Sequence, residues 1–189
     1  MTLANDILLE MQRRMLRIRY FDERASKMVK RGEIPGTVHT SIGQEAQVVG
    51  ACMALSEIDY MTGNHRSHGH PIGKGAKLGP LMAELVGKAT GVCGGKGGSM
   101  HLIDESVGFM GSTAIVAGTI PVGVGLAYGM KCKQVDQVSC VFHGDAAVEA
   151  GVFFESVNFA VVKKLPVLFL CENNFYSVYS PLSVRQPEG

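Results

Sequence analysis

The chain has 189 residues, of which 46% are hydrophobic and 19% are charged, and its formal net charge is +1. This composition is typical of one soluble globular domain spanning residues 1–189 and excludes a disordered chain. The near balance of 18 basic and 17 acidic residues gives no support to a basic surface for nucleic acid or for an anionic membrane.

Three further features concern the cellular location of the protein. The five cysteines include no CxxC pair, which favours reduced core cysteines over disulfides or a zinc ribbon. No apolar run approaches the roughly 20 residues that span a bilayer. Acidic residues interrupt the N-terminal apolar stretches, which is unlike a signal peptide or a mitochondrial presequence. We therefore expect a cytoplasmic protein that does not bind membranes.

The first half of the chain is predicted to be mostly helical. Apolar residues at helical spacing predict helices over residues 5–30, from about 43 to 55, and over 78–88. The histidine- and glycine-rich segment YMTGNHRSHGHPIGKG is predicted to be a loop. A second glycine-rich loop, TGVCGGKGGSMH, precedes a stretch that is predicted to be irregular as far as about Ala114.

From residue 120 onward, the pattern alternates between helix and strand. The small residues of GVGLAYGMKCK predict a helix that packs closely on a sheet. Buried strands are predicted in QVSCVFHGD and VLFLCENN, with an amphipathic helix over residues 149–163 between them. This order predicts an α/β fold, a parallel sheet sandwiched by helices.

Both predicted strands run into polar residues. Gly144 and Asp145 follow the first, and Glu172, Asn173 and Asn174 close the second. Ligands of such sheets bind beyond the carboxyl ends of the strands. The Asp145 carboxylate, the Asn174 amide oxygen and a backbone carbonyl would form half of an octahedral shell. Since Mg²⁺ takes its other ligands from water and phosphates, the pair favours a magnesium-diphosphate site over a helix-capping role for Asp145.

The segment from Gly144 to Asn174 resembles the thiamine-diphosphate motif, which opens with Gly-Asp-Gly and closes with Asn-Asn. The chain is also similar to alpha subunits of the first component of 2-oxo-acid dehydrogenase complexes, and this similarity covers nearly all of its length. It is carried by the segments GTVHTSIGQEA, HRSHGH, GGKGGSMH, STAIVAGTIPVGVGLA and NFYSVYSP.

The resemblance implies the thiamine-diphosphate-binding fold and thiamine diphosphate with Mg²⁺ as cofactors. Such enzymes act on pyruvate, branched-chain 2-oxo acids or acetoin, and they pass the acyl group of a decarboxylated 2-oxo acid to lipoamide. The implied partners are a beta subunit, which supplies the glutamate that activates the aminopyrimidine in an α₂β₂ heterotetramer, and a lipoyl-bearing acyltransferase component.

The resemblance also implies roles for single residues. Asp145, the Asn174 side chain and the Tyr176 carbonyl would bind Mg²⁺, and Arg66 would hold the diphosphate. His39 would face the substrate side of the thiazolium. His65 would be a weaker ligand that donates a hydrogen bond to a phosphate oxygen. The remaining cofactor contacts would come from backbone groups of Ala114, Val116, Gly144, Ala146 and Ala147.

Two departures from the family pattern lead to expectations of their own. Ala146 stands where the motif has glycine; positive φ would strain an alanine there, and we expect the harmless negative φ. The sequence ends at Gly189, earlier than alpha subunits do. We therefore expect a truncated or split gene product that exposes an apolar sheet edge.

Other functions are disfavoured but stay open. The spacing of Gly123, Gly125 and Gly129 departs from a dinucleotide fingerprint, which disfavours a nicotinamide-dependent dehydrogenase. A non-catalytic remnant or assembly subunit that keeps the fold is the alternative from another class. Four histidines lack the spacing of a zinc site and suit loops beside an anionic cofactor better: His65, His68, His70 and His101.

Overall fold

A four-stranded parallel sheet forms the centre of the computed structural model, which describes residues 3–187. Gly189, the last residue of the sequence, lies outside this range. The strand order is β2-β1-β3-β4, and each neighbouring pair is parallel. The strands are β1 (Tyr60–Thr62), β2 (Phe109–Gly111), β3 (Ser139–Gly144) and β4 (Val167–Glu172). The predicted α/β fold with a parallel sheet is therefore confirmed.

Helices from the first half of the chain cover one face of the sheet. Alternate residues of β3, Cys140 and Phe142, point into this layer, as the period of two in a strand requires. They join a buried core that includes Ile18, Val48 and Leu81. The helices are α1 (Asn5–Lys30), α2 (Glu45–Ala54), α3 (Gly69–Gly73) and α4 (Leu78–Leu85).

Two helices, α5 (Thr119–Lys133) and α6 (Gly151–Lys163), cover the opposite face. Val141 of β3 points into this second core, where Ile120 of α5 is fully buried. A Cβ on Gly123 would lie 2.3 Å from Val141 Cγ2, so α5 approaches the sheet through glycine. The predicted close packing of a small-residue helix on the sheet is confirmed. This packing explains the glycine at position 123, so a dinucleotide-binding role is not needed to explain it.

Two strands lie where sequence reasoning expected none. The segment 60–75, predicted to be a loop, contains β1 and α3, and the irregular stretch before Ala114 contains β2. Both predictions were wrong because β1 and β2 are three residues long, too short to show a periodic pattern. The helix predicted from residue 149 begins at Gly151, since a 3-10 turn occupies Asp145–Glu149.

The outer strand β4 leaves apolar groups in contact with solvent. Leu168 is 48% exposed on this strand, and Val161 and Val162 of α6 are 69% and 67% exposed. The described residues therefore contain the apolar edge that was expected. None of the helices in residues 3–187 combines the length and the apolar character needed to cross a membrane.

A buried carboxylate organises the second glycine-rich loop. Glu84 of α4 has no exposed surface, and its side chain accepts backbone N–H bonds from Cys93, Gly95, Gly97 and Gly98 at 2.7 to 3.1 Å. Burial alone would raise the pKa of Glu84, but these donors outweigh it and hold the pKa below the ordinary value of 4.5. The ionised side chain thus fixes the loop to α4.

Replacement of Glu84 by glutamine should destabilise the fold by about 2–4 kcal/mol, because an amide loses the charge and turns its NH₂ group toward backbone donors. A group with a depressed pKa stabilises the fold above its unfolded pKa, near 4.5, and loses this contribution as the pH falls through the folded pKa. The free energies of unfolding of wild type and Glu84→Gln, measured with urea, should therefore become equal as the pH falls into the acid range. Glu155→Gln, on the exposed face of α6, is the matched control, and an equal effect of both substitutions would contradict this role.

Candidate active site

The carboxyl ends of β3 and β4 meet at one edge of the sheet. Gly144 pairs with Glu172 in the ladder, so the residues that follow each strand emerge side by side. Asp145 is 5% exposed and begins the 3-10 turn after β3. Asn174 follows β4, and the connection between the strands is the single helix α6. As predicted, β3 and β4 are neighbouring parallel strands with a crossover helix between them.

A cavity of about 400 Å³ opens at this edge. Ala114 does not line it, although its neighbours Thr113 and Ile115 do. The residues that do line the cavity come from segments that lie far apart in sequence. Every other residue predicted to hold the cofactor, the metal or the substrate lines this cavity: His39, His65, Arg66, Val116, Gly144, Asp145, Ala146, Ala147, Asn174 and Tyr176.

The backbone at the cavity is strained in places, but Ala146 is not one of them. Ala146 lies within the 3-10 turn and has no positive φ, so the harmless alternative for this residue holds. Ala117 and Val178, which also line the cavity, have φ of 66° and 56°. Non-glycine residues in this region cost of order 1–3 kcal/mol each and concentrate at functional sites.

Arg185 pairs with the predicted metal ligand, and sequence reasoning missed it. The chain after Asn174 forms an antiparallel hairpin, β5 (Tyr176–Ser177) and β6 (Ser180–Pro181), and then the short helix α7 (Leu182–Arg185). This path brings the Arg185 guanidinium against the carboxylates of Asp145 and Glu149. A positive charge therefore already faces Asp145. No motif could have revealed the pair, since it depends on the path of the hairpin.

The donor set at the strand ends fits a hard cation. Carboxylate and amide oxygens are ligands that Mg²⁺ accepts, and Asp145 and Asn174 provide one of each. In this conformation Asn174 Oδ1 accepts the Tyr176 backbone N–H at 2.9 Å, which turns the chain toward the cavity. A metal ion would have to share or replace this bond, and on Asp145 it would compete with Arg185, which pairs with Oδ2.

Two of the histidines that line the cavity pair with each other. The rings of His39 and His65 meet edge to face, with their centroids 4.8 Å apart. Burial lowers the pKa of His39 below 6.5, and the nearby Arg66 and His68 lower it further. The pKa of His65 is lowered by burial, His39 and Arg66. His39 Nδ1 is buried, and it has no hydrogen-bond partner in the described part of the chain.

Arg66 is fixed mainly through its backbone. Its N–H donates to Asn64 Oδ1 at 2.7 Å, and its carbonyl accepts a bond from the Ser41 hydroxyl at 2.9 Å. One guanidinium nitrogen donates to the Thr40 carbonyl at 3.3 Å. The remaining donors of this planar group are suited to an anionic ligand at the cavity wall.

A second buried carboxylate lies beneath this wall. Glu172, which is 7% exposed, accepts bonds from the amides of Gln47 and Asn64, both at 2.5 Å. Its Oε1 also lies 3.3 Å from Nε2 of the fully buried His70. Burial raises the pKa of Glu172, but His70 and the two amides outweigh it and lower the pKa. Sequence reasoning noted Glu172 at the strand end but did not assign it a role.

Three further histidines, His68, His70 and His101, lie outside the cavity lining. His68 contacts Asp22 and Ser99, His70 packs between Phe109 and Phe142, and His101 is exposed. Within residues 3–187, no three side chains of the His, Cys, Asp or Glu types converge as metal ligands would. The histidine-rich loop therefore contributes buried contacts and one side of the cavity.

Comparison with known proteins places this geometry in context. The family model described as "Dehydrogenase E1 component" matches residues 12–184. The chain is 44% identical over 181 residues to the alpha subunit of acetoin:2,6-dichlorophenolindophenol oxidoreductase from Bacillus subtilis (strain 168), covering 96% of this chain and 54% of that protein. It is 41% identical over 175 residues to the pyruvate dehydrogenase E1 component subunit alpha of Rhizobium meliloti (strain 1021), covering 93% and 50%.

The chain spans about half the length of the curated relatives that it matches. Among solved structures, it is similar to a putative thiamin diphosphate-dependent enzyme from Mycobacterium smegmatis, with a TM-score of 0.44 and 14% identity. That match covers 74% of this chain and 23% of the other.

The pKa of His39 provides a direct test of the cavity electrostatics. An NMR titration of the His39 ring should give a pKa below 6.5, so that the ring is neutral at pH 7. Arg66→Gln should raise this pKa without restoring it fully, because burial is the larger cause. Arg24→Gln, on the exposed side of α1, should leave it unchanged. A wild-type pKa of 6.5 or more, or no response to Arg66→Gln, would contradict the geometry.

Proposed function

Because the chain belongs to the dehydrogenase E1 component family, we propose that it is the diphosphate-binding part of the alpha subunit of a thiamine-diphosphate-dependent 2-oxo-acid dehydrogenase. Its complete enzyme would decarboxylate a pyruvate-like 2-oxo acid, or cleave a related ketone, and transfer the acyl group to lipoamide. One observation carries the proposal. Apart from Ala114, the residues that the resemblance assigns to cofactor, metal and substrate line one cavity at the carboxyl ends of β3 and β4.

The chemistry of these residues suits a magnesium diphosphate. Asp145, the Asn174 side chain and the Tyr176 carbonyl would hold Mg²⁺, and Arg66 would bind the diphosphate oxygens through its fork of N–H donors. Backbone groups from Gly144 to Ala147 would lie along the diphosphate. The 3-10 turn supports this role, because it gives Ala146 a conformation that alanine adopts without strain.

The other wall would receive the reacting end of the cofactor. Backbone groups of the segment 114–116 would contact the aminopyrimidine ring, and His39 would face the substrate. Thiamine diphosphate, when bound, supplies the electron sink for breaking the bond beside a carbonyl group. A neutral His39, with Nδ1 buried and without a partner in the described chain, can hold or accept a proton beside developing charge.

The partners belong to the same proposal. A beta subunit would complete the site in an α₂β₂ assembly, and a lipoyl-bearing acyltransferase component would accept the acyl group, in the cytoplasm. The exposed apolar groups of β4 and α6 are compatible with further protein packed against this edge. The names of the relatives include acetoin and pyruvate enzymes, so the proposed substrate is either a hydroxyketone such as acetoin or a 2-oxo acid such as pyruvate.

A second function stays open because of Arg185. A chain whose Asp145 stays paired with Arg185 would keep the fold and bind no cation, as a non-catalytic remnant or an assembly subunit would. The two functions make opposite predictions about cofactor binding.

Cofactor binding separates the two functions. The full chain, purified from its native source with any subunit that accompanies it, should bind thiamine diphosphate with Mg²⁺ in a calorimetric titration. Asp145→Asn should weaken this binding by about 100-fold or more, because the carboxylate is the charged metal ligand. Asp136→Asn, which removes an exposed carboxylate, should bind like wild type. No binding by the wild-type assembly would favour the remnant.

Arg185 should compete with the metal ion. If the guanidinium occupies the position of a cation at Asp145, Arg185→Gln should raise the affinity for Mg²⁺ alone by about tenfold. Calorimetry with MgCl₂ measures this directly, and Arg24→Gln serves as the control. An unchanged or weaker affinity in Arg185→Gln would show that the ion pair does not oppose the metal.

A further inference from the structure

We propose that Asp22, in the core face of α1, is a positioning residue that holds His39 and Arg66 in place through its bonds to Ser41 and His68. The inference rests on the proposed function, because it concerns two residues to which that function gives roles. Asp22 itself lies outside the cavity and would touch neither cofactor nor substrate.

Asp22 is a fully buried carboxylate with a specific set of donors. Its Oδ2 accepts the Ser41 backbone N–H at 2.5 Å, and its Oδ1 lies 2.6 Å from Nδ1 of His68. His68 and Ser41 are fully buried as well. A buried carboxylate is tolerated only where such donors surround it, so these contacts fix the geometry of both segments.

Ser41 connects the carboxylate to both candidate site residues. It lies two positions after His39, so the bond from its N–H to Asp22 restrains the backbone that carries this histidine. Its hydroxyl donates to the Arg66 carbonyl at 2.9 Å and accepts the Gly69 N–H at 3.2 Å. The Arg66 side chain donates back to the Thr40 carbonyl. One carboxylate thus ties the segment that carries His39 to the segment that carries Arg66.

His68 extends the network to a third loop. Its Nε2 lies 2.8 Å from the Ser99 hydroxyl, in the glycine-rich loop that Glu84 also holds. The order Asp–His–Ser matches that of hydrolytic triads. Ser99 is only 7% exposed and does not line the cavity, so no substrate carbonyl reaches it there. The serine therefore serves as an anchor for His68, and it offers a control at the far end of the network.

Asp22→Asn and Ser99→Ala separate a positioning role from general stability. The amide introduced by Asp22→Asn would turn an NH₂ group toward either Ser41 N–H or His68, whereas Ser99→Ala removes one bond and leaves the contacts of Ser41 intact. Both variants should lose stability in urea unfolding. Only Asp22→Asn should shift the NMR signals of the His39 and His65 rings. It should also weaken thiamine diphosphate binding with Mg²⁺ by about tenfold, against less than about twofold for Ser99→Ala.

Cofactor binding tests the proposed function, and the NMR ring signals test the role of Asp22 separately. If the wild-type assembly binds no thiamine diphosphate, the proposed function fails, and the ring signals alone decide the role of Asp22. If Asp22→Asn does not fold by circular dichroism, Ser41→Ala decides instead, since it removes the link to Arg66 and keeps the Asp22 contacts. In Ser41→Ala, the NMR signals of the ring of His65, the neighbour of Arg66, should differ from the signals of the same ring in Ser99→Ala. Equal ring signals in the deciding variant and in Ser99→Ala would overturn the proposal.

Discussion

A carboxylate that is buried must be surrounded by hydrogen-bond donors, and three buried carboxylates of this structure each hold part of a loop in this way. Glu84 gathers four backbone N–H groups of the glycine-rich loop. Asp22 holds Ser41 and His68, and Glu172 holds Gln47 and Asn64. Each carboxylate belongs to a helix or strand, and each binds at least one residue of a loop segment. The loops that carry the candidate site are thereby fixed to the helices and the sheet.

The sheet supplies the other half of the arrangement. Parallel strands β3 and β4 end in register, with Gly144 opposite Glu172, so Asp145 and Asn174 follow neighbouring strand ends at one edge of the sheet. Two groups of residues line the cavity: the strand ends with the 3-10 turn, and His39, His65 and Arg66, whose segments the buried network holds. The proposed cofactor site thus joins a wall fixed by backbone pairing to a wall fixed by buried charges.

Residues with strong local patterns could be predicted from the sequence. The apolar run before Asp145 and the small residues around Gly123 indicated a strand and a closely packed helix, and both are present. The three-residue strand β1 gave no periodic signal, because its pairing with β2 and β3 comes from distant segments. The contact of Arg185 with Asp145 depends likewise on a hairpin whose path no local pattern specifies. Asp22 did leave a readable signal, an acidic residue on the same helical face as Ile18 and Ala25, which are buried.

The central claim is that the strand ends and the histidine–arginine wall together bind a magnesium diphosphate. A crystal structure of the native assembly grown with Mg²⁺ and thiamine diphosphate tests it most directly. The account predicts a metal ion on Asp145 and Asn174, a diphosphate between this ion and Arg66, and an Arg185 side chain displaced from Asp145. A structure at saturating cofactor in which Arg185 still contacts Asp145 and the cavity holds no diphosphate would contradict it.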